Sequence, residues 1–214
     1  MVEQIVPEPE RLREVVSPAA AALLVVDVQN DFCHERGAFG RLGIDLRAIQ
    51  QGVATLLGLI DAARRVGLPV IFVKTHHDRW TNSPAWLTRG PRTVGEICAA
   101  GSWGAQFYRV EPAAGERVVV KHRYSGFYMT ELEVILRALD RRGVLVTGVA
   151  TNVCVESTAR DAFMRDYHVV LVEDCAGAPT KEEHEAACAN IRHYFGHVLD
   201  SRGVMALWPR TEGR

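Results

Sequence analysis

The sequence predicts an α/β protein, a single three-layer α/β/α domain over residues 1–214 whose sheet is mostly parallel and doubly wound. The main observation behind this is a rhythm. Short, continuously apolar runs of strand length alternate with longer segments whose apolar residues recur at helical spacing. Composition agrees: 214 residues at 48% hydrophobic content let one α/β unit bury a core without disulfide or metal support. No internal repeat or second unit interrupts the rhythm.

Taken in order, residues 1–20 read as an N-terminal extension, charged and Pro-interrupted where a signal peptide needs an apolar core. Residues 21–26 form the first apolar run, which stops at Asp27. Residues 45–66 carry Leu46, Ile49, Val53, Leu56, Leu57 and Ile60 at helical spacing and end at Gly67; residues 68–73 are then a short strand introduced by Pro69. The run 118–120 stops at Lys121. Helix, strand, helix and strand follow at 131–142, 144–149, 153–166 and 169–172, with Asn152 a candidate N-cap, and a last helix covers 181–194. Residues 76–115 break the pattern. This long stretch holds Trp80, Trp86, Trp103, Pro84 and Pro91, and reads as a pocket wall or lid, as a subunit contact, or as both.

Several function classes are disfavoured. The formal net charge of −1 argues against a nucleic-acid partner, and no apolar run approaches a membrane span. Five cysteines, at 33, 98, 154, 175 and 188, form no CxxC pair and no framework, which suggests a reducing cytoplasm. A nucleotide-binding reading is weak, because DVQNDF and not a glycine-rich turn follows the first strand. The second strand ends in KTHHD, where adjacent histidines point apart on extended backbone; no metal and no other cofactor is expected.

The chemistry concentrates at strand ends. In TGVATNVCVESTARDAF a strand ends, turns sharply and starts a helix carrying Cys154. A thiol in a first helical turn feels unsatisfied backbone N–H groups and the positive end of the macrodipole, both of which favour thiolate. Read alone, such a cysteine is more often a small buried hydrophobe, so the reading needs partners. Asp27 and Lys121 stand at two other strand ends, and ligands of open parallel sheets bind outside those ends, so an acid, a cation and a thiol can converge there.

With Asp27, Lys121 and Cys154 in GVATNVCVEST, the chain resembles the isochorismatase-like cysteine hydrolase superfamily from about residue 21 to residue 177. The segments KHRYSGFYMTELEVIL and GSW are most similar to ureidoacrylate amidohydrolases, with biuret hydrolases and N-carbamoylsarcosine amidohydrolases as near relatives. The resemblance implies a catalytic triad of Asp27, Lys121 and Cys154, an oxyanion site made by the backbone N–H groups of Ala150 and Cys154, and a cis peptide bond between Val149 and Ala150. It also implies a pocket lined by Phe32, Thr75, Tyr124 and Ser125, with Arg123 preceding the aromatic; of the two histidines after the second strand, His77 is taken as the candidate for the pocket wall on its own account. This chain departs from that pattern at Phe32, where a tyrosine is expected, and at His76 and His77, which replace a Gly-Trp pair.

The implied activity is hydrolysis of a linear C–N amide bond in a ureido or carbamoyl small molecule, releasing ammonia through a thioester, and the implied assembly is a homo-oligomer. Alternatives stay open: a nicotinamidase-type amidase, a catalytically silent small-molecule binder, or a thiol redox sensor, the last weakened by the lack of a CxxC pair. An isochorismatase proper cleaves a vinyl ether and would not need the thiol.

Overall fold

The computed structural model describes residues 9–89 and 97–209. Within them six strands form one parallel sheet in the order β3-β2-β1-β4-β5-β6: β1 Ala21–Val26, β2 Val70–Thr75, β3 Arg117–Lys121, β4 Gly143–Val149, β5 His168–Gly177 and β6 His197–Leu199. Helices cover both faces. A parallel sheet covered on both sides must present apolar residues on both sides, which is why its strands read as continuous apolar runs. On β1, Ala21, Leu23 and Val25 enter one core with Ile49, Val53 and Leu56 of the helix Arg47–Arg65. Ala22, Leu24 and Val26 enter the other, with Leu132 and Leu136 of the helix Leu132–Ala138 and Ala159 and Ala162 of the helix Glu156–Phe163.

The observed elements differ from the expected ones where local rules were overridden. β2 runs two residues further than the apolar pattern, because Thr75 pairs with Lys121 across to β3. β5 continues to Gly177 through a register shift against β4, and the three-residue β6 is too short to leave a pattern. Asn152 does not cap a helix. It lies inside a π-helical turn, Thr151–Val155, that precedes the α-helix Glu156–Phe163. Of the N-terminal extension, the described part is the helix Pro9–Val15 and the residues up to Ala20; Val16 is fully buried and its carbonyl accepts a 2.8 Å bond from the Trp208 indole. Residues 1–8, and residues 90–96 of the long connection with Pro91, lie outside the described residues. Among the described residues no helix is long and apolar enough to cross a membrane.

The strand order reverses between β1 and β4, the point of a doubly wound sheet where the connections on either side diverge and leave a crevice at the carboxyl ends. Register keeps those ends level. Val26 pairs with Val73 on one side and Gly148 on the other. Gly148 is required there: its φ is +109°, and a Cβ would stand 1.9 Å from the Val26 carbonyl oxygen. Gly148→Ala should therefore lower stability by at least about 2 kcal/mol, from left-handed backbone and overpacking together. Urea melts of the purified variant measure this, and a loss under about 0.5 kcal/mol would contradict the packing described.

Candidate active site

Four strand ends contribute to one buried cluster. Asp27 follows β1 in left-handed backbone, φ 53°, its N–H bonded to the Val73 carbonyl at 2.8 Å. Lys121 ends β3. Its ammonium lies 2.7 Å from Asp27 Oδ2, with both side chains fully buried. The same nitrogen donates to Thr75 Oγ1 at 2.7 Å, to the Arg123 carbonyl at 3.0 Å and to Cys154 Sγ at 3.4 Å, while the Thr75 hydroxyl donates to Asp27 Oδ1 at 2.9 Å. The lysine protons are thus directed at the hydroxyl, the carbonyl and the sulfur. Asp27 Oδ2 meets the ammonium as an ion pair, and Oδ1 accepts from the Thr75 hydroxyl.

Electrostatics follow from this packing. Burial works to lower the Lys121 ammonium, but Asp27 and Cys154 outweigh it and leave its pKa raised. Burial pushes the Cys154 thiol up; Lys121 opposes, and the Asp27 carboxylate adds to the rise. Lys121 therefore acts on the thiol in the expected direction without prevailing. Burial thus disfavours the thiolate at Cys154, and Lys121 opposes that effect.

The turn that carries Cys154 faces the same space. The Val149–Ala150 peptide bond is cis. The Ala150 N–H donates to no backbone carbonyl among the described residues, and Ala150 lines a cavity of about 200 Å³ together with Thr75, Lys121 and Cys154. Phe32, Phe39, Leu42, Val149 and Val153 supply apolar wall. The long connection supplies Trp86, Arg89 and Ile97, and the segment after β3 supplies Arg123 and Tyr124. The Arg89 guanidinium lies 3.3 Å over the Trp86 ring and donates to the Tyr124 hydroxyl at 2.7 Å; Arg123 stands 5.0 Å from the same ring. Among the described residues neither arginine pairs with a carboxylate.

Of the side chains expected at the pocket, Phe32, Thr75, His77 and Tyr124 line it. Thr75 does so with its hydroxyl already committed to Asp27 and Lys121, which makes it part of the buried cluster. Ser125 is not brought to the cavity: its hydroxyl donates to Asp161 at 2.6 Å and accepts from the Phe127 N–H. His76 is directed elsewhere, toward Asp78 and the His122 ring. His77 is buried against Trp86 with its Nδ1 unpartnered. Among the described residues no group of three His, Cys, Asp or Glu side chains gathers closely enough to hold a metal ion.

Sequence reasoning missed the residues that tie the site to the long connection. Gln29, fully buried, donates to the carbonyls of Thr75 and Ala105 at 2.9 Å each and accepts from the Thr75 N–H at 2.7 Å. Asn30 donates to the Trp103 carbonyl, and Asp31 accepts from the N–H groups of Ala38 and Cys98. The available signal was three consecutive amide and carboxylate side chains, set off by two residues from the end of a buried strand. For Arg89, in PAWLTRG, the sequence carries none.

The comparisons with known proteins agree with this fold. A family model described as the isochorismatase domain matches residues 21–203. Ureidoacrylate amidohydrolase RutB of Yersinia enterocolitica is 37% identical over 85% of this chain and 86% of its own length, and that of Methylobacterium radiotolerans 38% over 91% and 80%. Among solved structures, a cysteine hydrolase from Pseudomonas syringae pv. phaseolicola superposes with a TM-score of 0.79 at 27% identity, covering 89% of this chain and 92% of that one. N-carbamoylsarcosine amidase from Thermoplasma acidophilum superposes at 0.68 with 31% identity, covering 91% and 99%. The chain belongs to the isochorismatase family of hydrolases.

The His77 environment predicts a pH effect on stability. Burial first, then Lys121, Arg89, His122 and Arg123, push its pKa from 6.5 down to about 4. The fold thus favours neutral imidazole. That stabilisation is complete above about pH 6.5 and is lost as the pH falls toward about 4, where the unfolded chain binds the extra proton. His77→Phe, which cannot titrate, should lose less stability than the parent between pH 7 and pH 4.5 in parallel thermal melts. Equal slopes would contradict the burial assigned to His77.

Proposed function

We propose that the protein is a cysteine-dependent amidohydrolase that cleaves a linear C–N bond in a ureido or carbamoyl compound. The observation that carries this reading is the Cys154 sulfur held 3.4 Å from the buried Lys121 ammonium, itself in contact with Asp27, at the floor of a cavity that Ala150 also lines. Relatives named ureidoacrylate amidohydrolase and a structural neighbour named N-carbamoylsarcosine amidase support the substrate class. Arg89 and Arg123 at the same cavity suit a substrate that also bears a carboxylate, since guanidinium groups match that anion in charge and in planar geometry.

In the proposed mechanism Asp27 Oδ2 takes the thiol proton as Cys154 Sγ attacks the carbonyl carbon. The carbonyl oxygen becomes an oxyanion, which the N–H groups of Ala150 and Cys154 stabilise. The tetrahedral adduct collapses, the C–N bond breaks, and the departing nitrogen recovers the proton from Asp27. Asp27 then deprotonates water, which attacks the thioester; collapse returns the sulfur as leaving group, and its proton comes back through Asp27. Ammonia is the departing amine itself, or arises when a carbamic acid product decomposes. Lys121 keeps the Asp27 carboxylate oriented and steadies the thiolate that forms on the way.

The reading includes two further parts. The described part of the stretch 76–115 serves as pocket wall, for Trp86, Arg89 and Ile97 line the cavity. A homo-oligomer in the cytoplasm is the expected working form: the five cysteines are free thiols, and Phe163, Met164 and Tyr194 expose apolar surface to which a second copy can bind.

Three measurements test the assignment. Cys154→Ala should abolish ammonia release while the variant stays folded. Asp27→Asn should slow turnover by at least about two orders of magnitude, the scale of a positioned acid–base group, and a loss under about threefold would remove Asp27 from that role. Across ureidoacrylate, biuret, an N-carbamoyl amino acid and nicotinamide, kcat/KM should be at least about tenfold higher for the best carbamoyl compound than for nicotinamide, about 1.4 kcal/mol of differential transition-state binding. If nicotinamide leads, the substrate class is wrong while the cysteine chemistry can stand.

A further inference from the structure

Cys154 stands on a support that the mechanism so far does not use. Its turn, Thr151–Val155, is π-helical, a wide turn with poorer packing along its axis than an α-helical one, and it links the end of β4 to the helix Glu156–Phe163. Its inner hold is the Ala150 carbonyl, which accepts from the N–H groups of Val153 and Val155 at 3.1 and 3.2 Å. The outer hold comes from the helix Lys181–Asn190. Thr151 is fully buried, and its hydroxyl meets His184 Nδ1 of that helix at 2.9 Å. The far side of the ring, Nε2, faces Cys188 Sγ at 3.5 Å. A neutral imidazole donates from one ring nitrogen and accepts at the other, so His184 can satisfy the Thr151 hydroxyl and the Cys188 sulfur at once.

A second tie leaves the same helix on the other side of the nucleophile. Asn190 donates to Glu156 at 3.0 Å, and Arg160 holds the same carboxylate oxygen. The helix is itself fixed by a capping box between Thr180 and Glu183 and by burial of Ala187 and Cys188. Thr151 and Glu156 bracket Cys154 in the chain, so the helix grips the turn before and after the reacting sulfur. His184 and Thr151 do not line the cavity, so their effect on the reaction passes through backbone position.

We propose that His184 is a positioning residue: through Thr151 it holds the Ala150 to Cys154 backbone where nucleophilic attack and oxyanion binding need it. The proposal rests on Cys154 being the nucleophile, and not on which amide is the substrate. Small displacements of a reacting group are costly, with about 1 Å costing on the order of a hundredfold in rate.

The test compares Thr151→Val, His184→Leu, the double variant and His184→Asn, whose amide can still reach the Thr151 hydroxyl. Two readings are taken: kcat and KM for ammonia release, and the rate of iodoacetamide alkylation at Cys154 followed on the Cys154 peptide, so that the other cysteines do not contribute. Thr151→Val and His184→Leu should each lower kcat by at least about tenfold with KM within about threefold, and slow the alkylation similarly. The double variant should be no worse than the worse single, since both remove one link, and His184→Asn should recover most of the loss. Overturning results are a single variant with both readings within about twofold of the parent, a double loss equal to the product of the singles, or losses that vanish once corrected for folded fraction. Alkylation needs no substrate: if it responds as described while no carbamoyl compound is hydrolysed, the substrate reading fails and the positioning role stands.

Discussion

A charge pair without solvent holds this site together. Lys121 and Asp27 are fully buried at 2.7 Å, and removing one partner of such a pair typically costs about 3–5 kcal/mol because the other charge is left uncompensated. The pair is therefore both a constraint on the fold and a store of chemistry. Satisfying it has recruited Thr75 from β2 and the Arg123 carbonyl from the chain after β3, which fixes where the third lysine proton is directed. That proton meets the Cys154 sulfur. Asp27 keeps one carboxylate oxygen in ionic contact with the ammonium and the other on the Thr75 hydroxyl.

The sheet explains how charges from distant parts of the chain reach one point. β1 sits centrally, with β2 and β4 paired to it in level register, so the residues just past Val26, Val73 and Gly148 lie at one edge. β3 adds Lys121 opposite Thr75. Parallel pairing requires long connections, and here one of them has been put to use: the stretch after β2 folds over the sheet edge and is pinned by Gln29, Asn30 and Asp31. Gly104 permits the close approach, for a Cβ there would meet the Asp31 carboxylate at 2.2 Å.

Much of this was legible in the sequence because burial on both faces leaves an unmistakable signature, an apolar run cut off by a charge. That signature marked Asp27 and Lys121, and the strand-turn-helix pattern marked Cys154. What stayed hidden depends on partners that lie far apart in sequence. Whether the hydroxyl of Thr75 serves a substrate or a neighbour cannot be read until β3 is known to bring Lys121 beside it. Ser125 illustrates the converse, since Asp161, on a helix over thirty residues later, takes its hydroxyl away from the cavity. The π-helical turn was hidden for a different reason: helical periodicity over a few residues does not separate one helical type from another. Arg89 owes its place to the fold of the long connection, which follows no periodic rule.

The account stands or falls on a thioester at Cys154, and partitioning by hydroxylamine reads it most directly. Two substrates that share an acyl group but differ in leaving amine should pass through one acyl-enzyme. Hydroxylamine should then divert that common species to its N-hydroxy adduct, which is hydroxyurea where the carbamoyl group stays on sulfur, in a ratio to hydrolysis product that rises with hydroxylamine concentration and is identical for the two substrates. Absence of any hydroxylamine adduct during turnover, or a ratio that changes with the leaving amine, would contradict a covalent intermediate and with it the central role assigned to Cys154.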